Sequence, residues 1–209
     1  MRLRVKICGM TTLDDALFCA HAGADALGFI FYEKSPRCIT VDAARAIIHS
    51  LPPFVTPTGV FVNESRQRIL KVITECGLRS IQLSGDETPD DCSGYTVPVI
   101  KSFRLRHESE LSTVADYSST IVMLDGASDG QYGGSGKLPD LSIARALASK
   151  CELILAGGLG PENLASTVEA VRPYGVDINS GVETSPGMKN HQKVQQLFRV
   201  VSLLNSLTT

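Results

Sequence analysis

The run Val5-Lys6-Ile7-Cys8-Gly9-Met10-Thr11 decides the fold. It is apolar enough for a short strand, reaches a cysteine, turns at a glycine and offers Thr11 as a cap for a helix beginning at Leu13. A strand that delivers a reactive side chain to its carboxyl end, followed by a tight turn and a helix, is how an α/β barrel presents chemistry at its mouth. Successive strand residues face opposite ways. Val5 and Ile7 are therefore expected against the helices, and Lys6 and Cys8 inside the barrel, with Cys8 at the rim.

Downstream of that run, residues 13–21 read as a helix ending near Gly23, and 26–31 as a strand. A helix over 41–50, with Asp42 in its first turn, is stopped by Leu51-Pro52-Pro53, because proline cannot continue it. Residues 58–62 form a third strand, after which Asn63 is expected to cap a helix over 64–76 that ends at Gly77. Strands follow at 79–83, 97–102, 120–125, 152–156 and 176–179. Between them come at most one helical turn at 89–93, a weak helix at 108–115, a helix at 141–149, and one with Pro161 in its first turn running to 171. A last helix spans 189–204.

Eight strand-like runs alternating with helical ones predict a parallel sheet with crossover helices. Eight such units close into a (β/α)8 TIM barrel, here one catalytic domain over residues 1–209, with the helices after strands four and five reduced. The alternative is an open doubly wound sheet, but no G-x-G-x-x-G follows the first strand.

A charged fraction of 20%, a net charge of −2 and a pI of about 6.1 give no basic footprint for nucleic acid. The start, Met1-Arg2-Leu3-Arg4-Val5-Lys6, lacks the apolar core of a signal peptide, and no segment is apolar for long enough to cross a bilayer. The six cysteines include no C-x-x-C pair; free thiols in a cytoplasmic protein, with no metal site, are expected.

Two side chains at strand ends stand out. Cys8 precedes Gly9 at the rim, and a neighbouring cation, Lys6 on the same face, would raise its thiolate fraction. Lys6 has a competing use as the ion-pair partner of Asp177, whose parity on the eighth strand also points inward. Asp125 ends the apolar run Ile121-Val122-Met123-Leu124; alone it reads equally as a loop-capping carboxylate, but paired with Cys8 across the mouth it makes an acid–base couple. Three glycine-rich stretches follow strands six, seven and eight: Gly133-Gly134-Ser135-Gly136, Ala156-Gly157-Gly158-Leu159 and Asn179-Ser180-Gly181-Val182. Glycine marks ordinary turns, yet the loops after the seventh and eighth strands are where barrels bind phosphate through backbone N–H groups. Arg37, after the second strand, is by itself a surface charge; reaching over the mouth, its planar guanidinium would suit a carboxylate.

The ordered set VKICGMT, GADALGFIFYEKSPR, GVFVN, IQLSGDE, VIKSF, LDG, YGGSGK, LAGGLGPEN and GVDINSGVETSPG resembles the phosphoribosylanthranilate isomerase family almost end to end. The resemblance implies an Amadori rearrangement of N-(5-phosphoribosyl)anthranilate in tryptophan biosynthesis, without cofactor or metal, by a monomer or homodimer. It implies Asp125 as general acid on the ring oxygen and Cys8 thiolate as the base removing the C2 proton. Arg37 would hold the anthranilate carboxylate, and the backbone near Gly134, Gly157, Gly158, Ser180 and Gly181 the phosphate. Asp177, in the family's GVD segment, would support the site. The chain departs from the family pattern at Ser84 (histidine in QLHGDE), Asn179 (serine in GVDVSSGVE) and Ser135 (threonine in GGTGK). Two rivals remain. The aldose–ketose isomerase of histidine biosynthesis would use an aspartate where Cys8 stands. A non-catalytic phosphosugar-binding barrel would need the glycine loops but not Cys8 and Asp125 together.

Overall fold

A computed structural model describes residues 2–117, 120–126 and 136–207. Strands β1 (Arg4–Ile7), β2 (Ala26–Ile30), β3 (Thr56–Phe61), β4 (Ser80–Leu83), β5 (Val99–Phe103), β6 (Ile121–Leu124), β7 (Leu153–Leu155) and β8 (Gly175–Ile178) pair in chain order. All are parallel, and β8 returns to β1 with Lys6 opposite Asp177, closing the barrel. Helices α1 (Leu13–Ala22), α2 (Val41–Ile48), α3 (Arg66–Cys76), α4 (Leu111–Val114), α5 (Leu141–Ala148), α6 (Leu164–Val171) and α7 (His191–Leu207) form the outer layer. The reduced units fall where expected: no described helix lies between β4 and β5, and α4 is a single turn flanked by 3-10 turns. Among the described residues, no helix is long and apolar enough to cross a membrane.

The strand period sorts the core into two regions. Val5, Ile7, Leu27, Phe29, Ile81, Leu83, Leu124, Leu153, Leu155 and Val176 are buried with helix residues such as Ala16, Ile69, Val72, Leu147 and Leu197 in one continuous outer core. Inside the barrel, Cys8, Ile30 and Val60 form one cluster and Ile100, Met123, Ile154 and Ala156 another. The alternation expected for β1 is therefore observed: Val5 and Ile7 face outward, Lys6 and Cys8 inward. All six cysteines are free thiols.

Local chemistry moves several boundaries. The cap of α1 is Thr12, which accepts from the Asp15 N–H; the Thr11 hydroxyl donates instead to the Gly187 carbonyl. Asn63 is not the cap of α3. It sits in the left-handed region with φ of 50° and bonds the Glu87 and Asp86 segment, while Ser65 caps the helix two residues later. Pro161 precedes α6 rather than entering it, because Asn163 spends its side chain on the preceding loop. The last helix starts at His191, since residues 183–189 fold into an antiparallel hairpin, β9 (Glu183–Ser185) and β10 (Met188–Lys189).

Candidate active site

Strand β1 sets the site. Lys6 Nζ donates to Asp177 Oδ1 at 2.8 Å, and both side chains are buried. Burial works against the Lys6 ammonium, but the Asp177 carboxylate and Cys8 outweigh it and its pKa is raised. The Cys8 thiol lies one turn of the pleat further along, next to Gly28 on β2. A Cβ on Gly28 would stand 2.6 Å from Cys8 Sγ and 3.1 Å from Lys6 Nζ, so only glycine leaves room for the two side chains together. Lys6 acts on the Cys8 thiol in the expected direction, but burial outweighs it. Burial pushes the thiol up, the Lys6 charge pulls it down less strongly, and Asp177 pushes it up again. Lys6 is thus both neighbour of Cys8 and partner of Asp177.

Asp125 directly follows β6. Its Oδ1 accepts the Gly126 N–H at 2.8 Å, the contact of a loop-capping carboxylate. Burial and then the Asp177 charge raise its pKa to about 6, against a weaker opposing pull from that hydrogen bond. A carboxyl at this value is partly protonated near neutrality and can donate a proton. Cys8, Asp125 and Asp177 line one cavity of about 510 Å³ at the carboxyl ends of the strands. One wall is apolar, from Ile30, Tyr32, Pro36, Val60 and Val62, and suits an aromatic ring; the opposite wall is the glycine-loop backbone.

Arg37 reaches over this cavity rather than into solvent. Its Nε lies 3.0 and 3.1 Å from the two oxygens of Glu183, and Nη2 lies 2.7 Å from Oε2. Glu183 also accepts Lys189 Nζ at 2.9 Å, and Lys189 in turn donates to the Cys8 carbonyl and to Asn179 Oδ1. Burial alone would raise Glu183, but the Arg37 hydrogen bond and the Lys189 charge hold it below the ordinary value. The pair with Glu183 leaves Arg37 Nη1 without a partner among the described residues. That gives the guanidinium a fixed direction and a free edge. Glu183 and Lys189 escaped the sequence reading, which ran the last helix through Lys189 and so hid the hairpin that carries both.

The glycine loops converge on the other side. Gly157 and Gly158 take φ of +94° and +59°, a left-handed turn that turns the chain at the end of β7. None of the peptide N–H groups of Gly157, Gly158, Ser180 and Gly181 donates to another described residue. Residues 180–182 form a short 3-10 helix, and a Cβ on Gly181 would fall on the Leu159 carbonyl, so the two loops pack backbone to backbone. Asn163 pins the first loop by donating to Gly158 O and accepting from Gly160 N, each at 2.9 Å. Gly134 and Ser135 lie outside the described residues; Gly136 lines the cavity. Away from the site, Asp14, Asp15 and His191 bring ligand-type atoms within 4.8 Å of one another, but Asp15 already serves the Lys189 N–H and the His191 ring.

Comparison with known proteins agrees with this geometry. The family described as N-(5'phosphoribosyl)anthranilate (PRA) isomerase matches residues 5–200. The chain is 44% identical over 207 residues to the N-(5'-phosphoribosyl)anthranilate isomerase of Pelobacter propionicus, covering 99% of each protein. The crystal structure of phosphoribosyl anthranilate isomerase from Thermotoga maritima superposes with a TM-score of 0.89 at 39% identity, over 96% of this chain and 98% of that one. A phosphoribosyl anthranilate isomerase in complex with reduced 1-(o-carboxyphenylamino)-1-deoxyribulose 5-phosphate gives 0.86 at 38% identity, again over 96% and 98%. A closed barrel with a thiol, a carboxyl and, among the described residues, unpartnered backbone donors at one cavity, matched over residues 5–200, places this chain in the N-(5'-phosphoribosyl)anthranilate isomerase family, the aldose–ketose isomerases of tryptophan biosynthesis.

Proposed function

We propose that the chain, acting as one barrel domain over residues 1–209, converts N-(5-phosphoribosyl)anthranilate to 1-(2-carboxyphenylamino)-1-deoxyribulose 5-phosphate. In this reading the free N–H groups of Gly157, Gly158, Ser180 and Gly181, with Gly134, receive the phosphate. The free edge of Arg37 receives the anthranilate carboxylate, and the apolar wall takes the ring. Protonated Asp125 gives its proton to the ribose ring oxygen as the C1–O bond breaks, and the aryl nitrogen lone pair forms the Schiff base. Cys8 thiolate then takes the C2 proton, and that electron pair moves to give the enolamine. Loss of the enol proton and protonation at C1 complete the ketone. Lys6 and Asp177 stand beside both groups; Lys6 supplies positive charge as the thiolate forms.

The observation that carries this reading is the placement of a carboxyl of pKa about 6 and a thiol at one cavity whose two ends are complementary to a carboxylate and a phosphate. The ring-opening protonation is assigned to Asp125 and the C2 deprotonation to Cys8. The reading includes action as a monomer or homodimer in the cytoplasm on a small phosphoribosyl substrate.

Purified protein should convert the substrate, while Cys8→Ser and Asp125→Asn each lose on the order of 100-fold or more in kcat, the scale of general acid–base catalysis. Inert wild-type protein would overturn the reaction. Product bound without turnover would leave a phosphosugar-binding barrel.

A further inference from the structure

Gln82 stands on β4 inside the barrel, between Val60 of β3 and Ile100 of β5 in the strand register. Its side chain is more than nine-tenths buried and lines the same cavity as Cys8 and Asp125. Nε2 donates to Ser84 Oγ at 3.0 Å, but Oε1, fully buried, has no partner among the described residues. Turning the amide over does not cure this. Oε1 would then accept from the Ser84 hydroxyl and Nε2 would be the unmatched atom.

Two other buried polar pairs of the barrel strands are matched. Lys6 is matched to Asp177, and Thr58 to Ser80 at 2.6 Å. A buried amide atom without a partner lowers stability, and an apolar side chain of the same length would avoid that. Both strand neighbours are aliphatic, and among the described residues none supplies the missing partner. An unmatched amide on a residue that lines a cavity is the expected signature of one whose partner arrives with the ligand.

Resting on the reaction assigned above, we propose that Gln82 is a substrate-binding residue whose amide hydrogen-bonds the neutral polar centre of the substrate, a ribose hydroxyl or the bridging secondary amine, with Ser84 fixing the amide. The charged ends are accounted for elsewhere: the phosphate at the loops after β7 and β8, the carboxylate at Arg37. Gln82 lies beside the apolar wall, and only the groups between those two ends remain to be read there. A hydroxyl, both donor and acceptor, satisfies either orientation of the amide.

The test is Gln82→Met, which keeps length and removes the hydrogen-bonding atoms. Thermal melting of the unliganded protein and steady-state kinetics with N-(5-phosphoribosyl)anthranilate are measured beside wild type. A residue reserved for substrate gives a melting temperature no lower than wild type, with KM raised about threefold to tenfold, the worth of one neutral hydrogen bond, and kcat nearly unchanged. An unchanged KM overturns the assignment, whatever the melting temperature does. Should Gln82→Met fail to fold, Ser84→Ala answers the same question, because it releases the amide without removing it. KM then rises if Gln82 reads the substrate, and an unchanged KM overturns the proposal. Wild-type protein that does not turn over the substrate overturns the reaction and this assignment together.

Discussion

At the scale of the residue, the cavity holds two groups displaced in the same direction: Asp125 to about 6, and Cys8 above the ordinary thiol value of 9.0. The proposed chemistry needs Asp125 protonated and Cys8 ionised, the minority combination. Below about pH 6 the acid is ready but thiolate is scarce, so kcat/KM should rise with pH. Between the two pKa values, loss of protonated Asp125 and gain of thiolate cancel, which gives a plateau. Above the Cys8 value only the loss remains, and the rate falls. A pH profile of kcat/KM should therefore show an acidic limb near pH 6 that belongs to Asp125, with a flat region extending past pH 9. A maximum confined between pH 6 and 8 would show that the pull of Lys6 on the thiol outweighs burial in the working enzyme. The sequence displayed both residues but not this ordering, because burial depends on which side chains close over them.

At the scale of the element, the β9–β10 hairpin matters most. It carries Glu183 at one end and Lys189 at the other, and through them it ties Arg37, Asn179 and the Cys8 carbonyl into one network around the buried Lys189 ammonium. Glu183→Gln keeps the shape and removes the charge that fixes Arg37. We expect KM to rise about tenfold with kcat within threefold, since the loss falls on binding that is the same in ground and transition states. We also expect a fall in stability of ~3 kcal/mol from leaving Lys189 buried without its counter-ion. Steady-state kinetics and urea unfolding would measure the two separately; a lower KM would mean that Glu183 competes with substrate for Arg37. Because Glu183 is held below its ordinary value, its contribution is present above the carboxylate range and is lost as pH falls through that range. The hairpin was illegible in the sequence. Residues 183–190 carry neither a strand alternation nor an N-G or D-G turn, and Lys189 reads as the exposed first turn of a helix.

At the scale of the whole molecule, the barrel is closed by β1 against β8, and the Lys6–Asp177 pair sits inside that seam. Breaking a buried pair from one side leaves a lone charge, so Lys6→Met should lower stability by ~3–5 kcal/mol. Lys6→Met combined with Asp177→Leu should recover most of that loss, read from urea midpoints. Because the Lys6 pKa is raised, the stability it supplies is complete below the ordinary lysine value and is lost as pH rises through the folded one. By itself the sequence determined the barrel: eight apolar runs, the inward parity of Lys6 and Cys8, the glycine loops and the terminal carboxylate at Asp125 follow from periodicity and turn chemistry, which are local. Only the tertiary structure decided which charges share a partner. Asp177 holds Lys6, Glu183 holds Arg37, and Gln82 is left with one amide atom unmatched among the described residues, because pairing inside a barrel is set by distances between strands far apart in the chain.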